Sequence, residues 1–215
     1  MKHRLPSSGR AGFTLVELSI AVALFLLLMS SAVVAARGGM DAFRSSQDLS
    51  DLETRARRAL DRAVFELLAV GASELAPNPT GSFGTDALEF RQAIGLAGTA
   101  PVWGELLSLA LVPAQGELDD GIDNDGNGLI DDGELVLTRD VGGNEQRVVL
   151  CRGVRELLGG EAPNGADDNG NGVVDEAGFN VHRVGNVLFV RLSLEESVPT
   201  GTVVRTLETS IRIRN

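Results

Sequence analysis

The chain has 215 residues, with 19 Lys and Arg against 30 Asp and Glu, a formal charge of −11 and a single cysteine. One cysteine excludes an intrachain disulfide framework, and a balance this acidic makes a poor nucleic-acid partner unless a local basic patch exists. Thirteen of the 30 acids fall in two stretches, 117–134 and 161–176, that contain no basic residue at all.

The chain opens on a short basic segment, residues 1–12, carrying Lys2, Arg4 and Arg10. Gly12 stands directly before a run of 24 residues, Phe13–Ala36, that is apolar apart from Glu17 and a few hydroxyls. About 20 such residues span a bilayer. An ionised acid buried there costs roughly 2.5–3.5 kcal/mol or more at mid-bilayer, so Glu17 is expected to have a function and a cationic partner. A single buried polar group of this kind also sets register between helices. A secretory signal peptide has a shorter apolar core, about 7–15 residues, with its cleavage site after that core. A plain signal anchor fits the length but explains neither Glu17 nor the glycine before phenylalanine. The basic residues lie before the run and only Arg37 lies just beyond it, so residues 1–12 should face the cytoplasm and everything after about residue 37 the other side.

The string Gly12-Phe13-Thr14-Leu15-Val16-Glu17 resembles the processing site of type IV prepilins and type II secretion pseudopilins. The resemblance implies that prepilin peptidase cuts after Gly12 and methylates the new terminus at Phe13. It also implies that the Glu17 carboxylate meets the terminal amine of a neighbouring pilin or pseudopilin inside a fibre. Removal of twelve residues leaves 203, and 16 basic residues against 30 acids give the mature chain a charge of −14.

From Met40 to about Val70, Phe43, Leu49, Leu52, Ala56, Leu60, Val64 and Leu67 recur every three or four residues, the spacing of an amphipathic helix. It should resume after a break at Gly38-Gly39, with i,i+4 pairs such as Glu53–Arg57 and Arg62–Glu66 worth about 0.2–0.5 kcal/mol each. Pro77, Pro79 and Gly81 close the helical region. Short strand-like runs follow at 87–91, 106–112, 135–139, 148–152, 187–194 and 203–213. The expected fold is therefore α+β and pilin-like, a long N-terminal helix packed on an antiparallel sheet. Its parts are a cleaved leader (1–12), a transmembrane and assembly helix (13–36), an amphipathic helix continuing into the head (37–76) and a β head (77–215). Cys151, in a strand-like run, reads as a packed core thiol. The stretches 52–61, 153–157 and 187–192 and the terminal Arg-Asn are similar to the W class of minor pilins, and the layout is also similar to the J-class pseudopilins.

The first acidic stretch fits the twelve-residue calcium-loop pattern D-x-[DN]-x-[DN]-G-x₅-E over 123–134. Calcium takes six to eight oxygens. Asp123, Asp125 and Asn127 would supply side-chain oxygens, Leu129 its carbonyl, Asp131 a direct or water-mediated contact and Glu134 a bidentate one. The second stretch aligns without a gap at an offset of 44, giving Asp167, Asn169, Asn171, the Val173 carbonyl and Asp175. It departs at the last position, where Gly178 stands in place of the acid and Glu176 would have to complete the shell. Ca²⁺ is thus expected in loop 123–134, and more weakly in 167–178. Without an ion, each would be a solvated Asp/Asn/Gly turn.

No catalytic motif emerges: no G-x-S-x-G, H-E-x-x-H, phosphate loop or C-x-x-C, and of two histidines one, His3, lies in the leader. The expected protein is a single-pass inner-membrane minor pilin, N-terminus cytoplasmic and head periplasmic, that passes into a pilus or pseudopilus and works by assembly rather than catalysis. A type II secretion pseudopilin and a membrane-anchored calcium-binding adhesin module are the alternatives.

Overall fold

The computed structural model describes residues 12–81, 83–199 and 201–213. The basic leader, apart from Gly12, therefore lies outside the described residues. One helix, α1 (Leu15–Leu67), is followed by eight strands: β1 (Val70–Ala76), β2 (Ala87–Ala97), β3 (Ala100–Pro113), β4 (Gly133–Arg139), β5 (Gln146–Val154), β6 (Phe179–Val184), β7 (Val187–Val198) and β8 (Gly201–Arg212). The chain divides into two compact units, Met1–Ser45 and Ser46–Asn215.

Two features differ from the sequence expectation. The helix runs through Gly38-Gly39 without a break. Each glycine costs a helix about 0.8–1 kcal/mol relative to alanine, and the helix formers on either side outweigh that locally. At the other end the helix stops at Leu67, so residues 70–76, expected to be helical, form β1.

In the first unit the large side chains of α1 face solvent, among them Leu18, Leu24, Phe25 and Leu28. In the second unit, Leu52, Ala56, Ala59, Leu60, Ala63 and Leu67 form one buried stripe at three- and four-residue spacing, the face that packs on the sheet. Against the stripe lie Leu88 and Phe90 of β2, Leu107 and Leu109 of β3, Leu135 and Leu137 of β4, and Leu188, Val190, Leu192 and Leu194 of β7. Burial of a side chain of this size contributes roughly 1.5–3 kcal/mol.

Glu66 pins the helix to the sheet from within this interface. It is 1% exposed and pairs with Arg62 at 2.7 Å and with Arg139 of β4 at 2.5 Å, while Gln92 of β2 donates to its carboxylate at 2.9 Å. The Arg62–Glu66 pair thus belongs to a buried hub rather than to an exposed helix face. The Glu53–Arg57 pair forms at 2.8 Å, and Arg205 of β8 joins it at 3.1 Å.

The sheet is antiparallel throughout, in the order β1-β2-β3-β4-β5-β7-β6, with β8 on the other edge of β7. It curls until Thr85, just before β2, bridges Val181 of β6, with hydrogen bonds of 2.9 and 2.7 Å. The two acidic loops connect strands of this sheet. The first joins the paired strands β3 and β4, and the second leads from β5 into β6.

Candidate functional site

At the N-terminus, the segment that resembles a processing site ends in a helix cap. Gly12, Phe13 and Thr14 precede α1. The Thr14 backbone N–H and hydroxyl both donate to the Glu17 carboxylate at 2.9 Å, and the Glu17 N–H donates back to the Thr14 hydroxyl at 3.2 Å. This is a capping box, with threonine at the N-cap and glutamate three residues on. Its T-x-x-E signature is present in the sequence, yet reading Glu17 only as a buried acid passes over it. An acid in the first turn also complements the positive end of the helix dipole.

The two acidic loops are conformational duplicates over 114–132 and 158–176. Positive φ angles recur at the 44-residue offset: Gly116 and Gly160 (105° and 97°), Gly121 and Gly165 (76° and 77°), Gly126 and Gly170 (78° and 76°), Gly128 and Gly172 (88° and 88°), and Asp131 and Asp175 (51° and 46°). Closing hydrogen bonds repeat as well: Ala114 N–H to the Asp132 carbonyl at 3.0 Å, and Leu158 N–H to the Glu176 carbonyl at 2.8 Å. Leu129 and Val173, expected as carbonyl ligands, bury their side chains.

Within each loop the first aspartate shapes the turn. Asp123 accepts from Gly126 N–H at 2.7 Å and Gly128 N–H at 2.9 Å, and Asp167 accepts from Gly170 and Gly172 at 2.7 and 2.8 Å. Asp131 ties back the preceding segment, accepting from the N–H groups of Asp120 and Gly121, and Asp175 does the same for Asn164 and Gly165. Glu134 pairs with Arg152 of β5 at 2.8 Å. Asn127 and Asn171 each accept from the N–H two residues ahead.

Of the twelve-residue set, Asp123, Asp131 and Glu134 make these hydrogen bonds and this ion pair in the first loop. What comes together in the first loop is Glu117, Asp125 and Asp132, with carboxylate oxygens within 4.8 Å of one another. Glu117 and Asp132 are buried, at 6% and 2% exposure. Asn127 bridges Asp125 and Asp132, its amide donating at 3.1 and 2.9 Å. Burial raises the pKa of Asp132, the Asn127 hydrogen bond opposes this, and Asp125, Glu117 and Asp123 push it further up.

In the second loop the matching positions are Glu161, Asn169 and Glu176. Glu176 is fully buried and pairs with the buried Arg191 of β7 at 3.0 Å; Arg191 continues to Glu208 at 2.6 Å. Asn171 and Asn169 donate to Glu176 at 2.7 and 3.4 Å. At Gly178, where the pattern asks for an acid, a side chain would collide with the Arg155 carbonyl, so none can stand there. The pattern search missed Glu117 and Asp132. Their signal in the sequence was the recurrence of acids at the same 44-residue offset, Glu161 and Glu176, outside or off the twelve-residue window.

Cys151 is buried, and burial pushes its thiol up to about 12, with the thiol otherwise held by a Leu135 backbone hydrogen bond. It is a core side chain rather than a nucleophile. His182 is half-buried on β6 and its pKa is lowered by that burial and by Arg191.

A long N-terminal helix, apolar and exposed over its first half, followed by an antiparallel sheet that packs on its second half, defines an α+β, pilin-like fold. Residues 7–33 match the family described as the prokaryotic N-terminal methylation motif, the motif of the type IV pilins and pseudopilins. No curated protein and no solved structure matches the chain.

Proposed function

We propose that this protein is a minor pilin: an inner-membrane subunit, processed between Gly12 and Phe13 by prepilin peptidase, that enters or primes a type IV pilus through α1. The methylation motif at 7–33 carries the reading. Exposure of the apolar half of α1 supports it, because an isolated subunit leaves that surface uncovered and both lipid and neighbouring helices can cover it. Likeness of 52–61, 153–157 and 187–192 to the W-class minor pilins favours the pilus over a secretion piston. In the fold those stretches are the buried helix stripe, the end of β5 with its exit, and β7. The subunit supplies packing and the Glu17 charge, and assembly draws its energy from elsewhere.

The test is intact mass and N-terminal sequence of the protein from membranes of cells with and without the prepilin peptidase. A peptidase-dependent start at N-methylated Phe13 is expected. An intact leader in both strains rejects the reading. Co-purification with a pilus rather than with type II secretion components decides between the two fibres.

A further inference from the structure

The twin loops share a backbone but differ in how their buried acids are neutralised. In the second, the guanidinium of Arg191 reaches into the loop and lies against Glu176. In the first, Glu117, Asp125 and Asp132 take part in no ion pair among the described residues. The nearby arginines are already committed, Arg152 to Glu134, Arg155 to Glu195 and Arg55 to Glu196. Glu117 provides an observation independent of the cluster. One carboxylate oxygen accepts from the N–H groups of Asn124 and Asp125 at 3.0 and 2.8 Å. The other, Oε2, is buried without a hydrogen-bond partner on a side chain only 6% exposed. Glu161 Oε2 in the second loop is likewise unpartnered, but that side chain is only half-buried and Arg191 brings a positive charge to its loop's buried acid, Glu176. Buried carboxylate oxygens almost always have a partner, and with oxygens of Glu117, Asp125 and Asp132 within 4.8 Å of one another the cluster needs a proton or a cation to neutralise it.

We propose that Glu117, Asp125 and Asp132 bind one Ca²⁺ ion, and that the second loop binds none because Arg191 fills the corresponding role. The donors are all hard oxygens, with no histidine or cysteine among them, which excludes soft-metal preference. They come from three separate points of an irregular loop. Calcium accepts irregular oxygen shells, whereas Mg²⁺ demands a near-ideal octahedron. Asp125 is exposed, and an open cleft beside Gln115 and Ser197 reaches Asp125, Asn127 and Asp132, so water can complete the shell. This ligand set shares only Asp125 with the acids of the twelve-residue pattern and leaves Glu134 out. The site lies wholly within the Ser46–Asn215 unit and does not depend on the fibre reading.

The experiment is calorimetric titration of the full chain in detergent, stripped with EDTA, with CaCl₂ and then MgCl₂, alongside thermal unfolding in EDTA and in calcium. One Ca²⁺ per chain is expected, with a Kd of about 10⁻⁴–10⁻³ M, the range of extracellular modules. Glu117→Gln keeps the acceptor for Asn124 and Asp125 but removes the charge. It should weaken calcium binding at least about tenfold, the loss seen when a charged ligand partner is removed from a metal site, and remove the calcium-dependent rise in Tm. Its Tm in EDTA should equal or exceed that of the wild type, which distinguishes a lost ligand from a misfolded variant. Glu134→Gln should bind calcium as the wild type does. No heat up to about 10 mM Ca²⁺, well above that range, would overturn the proposal. Unchanged binding by Glu117→Gln, two ions per chain, or tighter binding of Mg²⁺ would do the same.

Discussion

Thr14 and Glu17 show two physical demands meeting on one side chain. The carboxylate closes the first turn of α1 by accepting from Thr14, and the fibre reading proposed above would have the same group pair with a neighbour's terminus. The two demands separate by substitution. Glutamine at this position still forms a capping box but carries no charge, whereas alanine removes both. If the charge does the assembling, Glu17→Gln and Glu17→Ala should both leave the protein in the membrane and out of the fibre. If the cap alone matters, Glu17→Gln should assemble at near wild-type levels and only Glu17→Ala should fail. Quantifying the protein in sheared fibres against the membrane fraction gives the answer. The oddity of Glu17 was legible in the sequence, because a lone acid in 24 apolar residues has few explanations. The isolation of Glu117 was not, because it depends on the fold bringing residues 117, 125 and 132 together and leaving Arg152 and Arg155 paired with other acids.

At the scale of elements, long periodic signals were readable and short ambiguous ones were not. The stripe from Leu52 to Leu67 and the strands β2, β3, β4, β5, β7 and β8 follow the sequence pattern, because helical spacing, apolar alternation or an apolar run persists over several residues. β1 was missed since Val-Gly-Ala-Ser-Glu-Leu-Ala has neither an apolar run nor a clean alternation and follows a strong helix. The stretch around His182 reads as strand-like, but Phe-Asn-Val-His-Arg-Val is short and half polar, and pairing with β7 along Phe179–Val184 supplies what propensity lacks in β6. Arg191 sits at the junction of these elements, joining β7 to the second loop and to β8. Removing one partner of a buried ion pair costs far more than the pair itself contributes, about 3–5 kcal/mol. Arg191→Met should therefore lower the unfolding free energy of the head by about that amount. The double variant Arg191→Met with Glu176→Gln should recover much of the loss, because no charge then remains buried alone. Chemical denaturation of the four proteins completes the cycle. Additive losses would show that Glu176 does not depend on Arg191.

For the molecule as a whole, removal of residues 1–12 would deepen the excess of acids over bases from −11 to −14. Several acids in the head have their protonated form favoured by the fold. Asp132 is raised chiefly by burial, and Glu156 likewise, with Asp119 and Asp131 adding to it. Glu53 is lowered by Arg57 and Arg205 and works the other way. For an acid with a raised pKa, the folded state binds more protons than the unfolded state, so stability falls as pH rises through the folded value. The contribution of Asp132 is thus fully present below its ordinary value of 3.8 and is lost as the pH rises through its higher folded value. A bound divalent cation would reverse this, because it favours the ionised carboxylate. Asp132→Asn isolates the effect from every other acid. In EDTA this variant should be more stable than the wild type at about pH 7.5, with the difference narrowing as the pH is lowered towards the ordinary 3.8 and the wild-type carboxyl takes up its proton. In calcium at about pH 7.5 the order should invert, the wild type gaining from the ion and the variant not. A difference in Tm that stayed constant across that pH range in EDTA would mean that Asp132 is solvated well enough to remain ionised in the folded head.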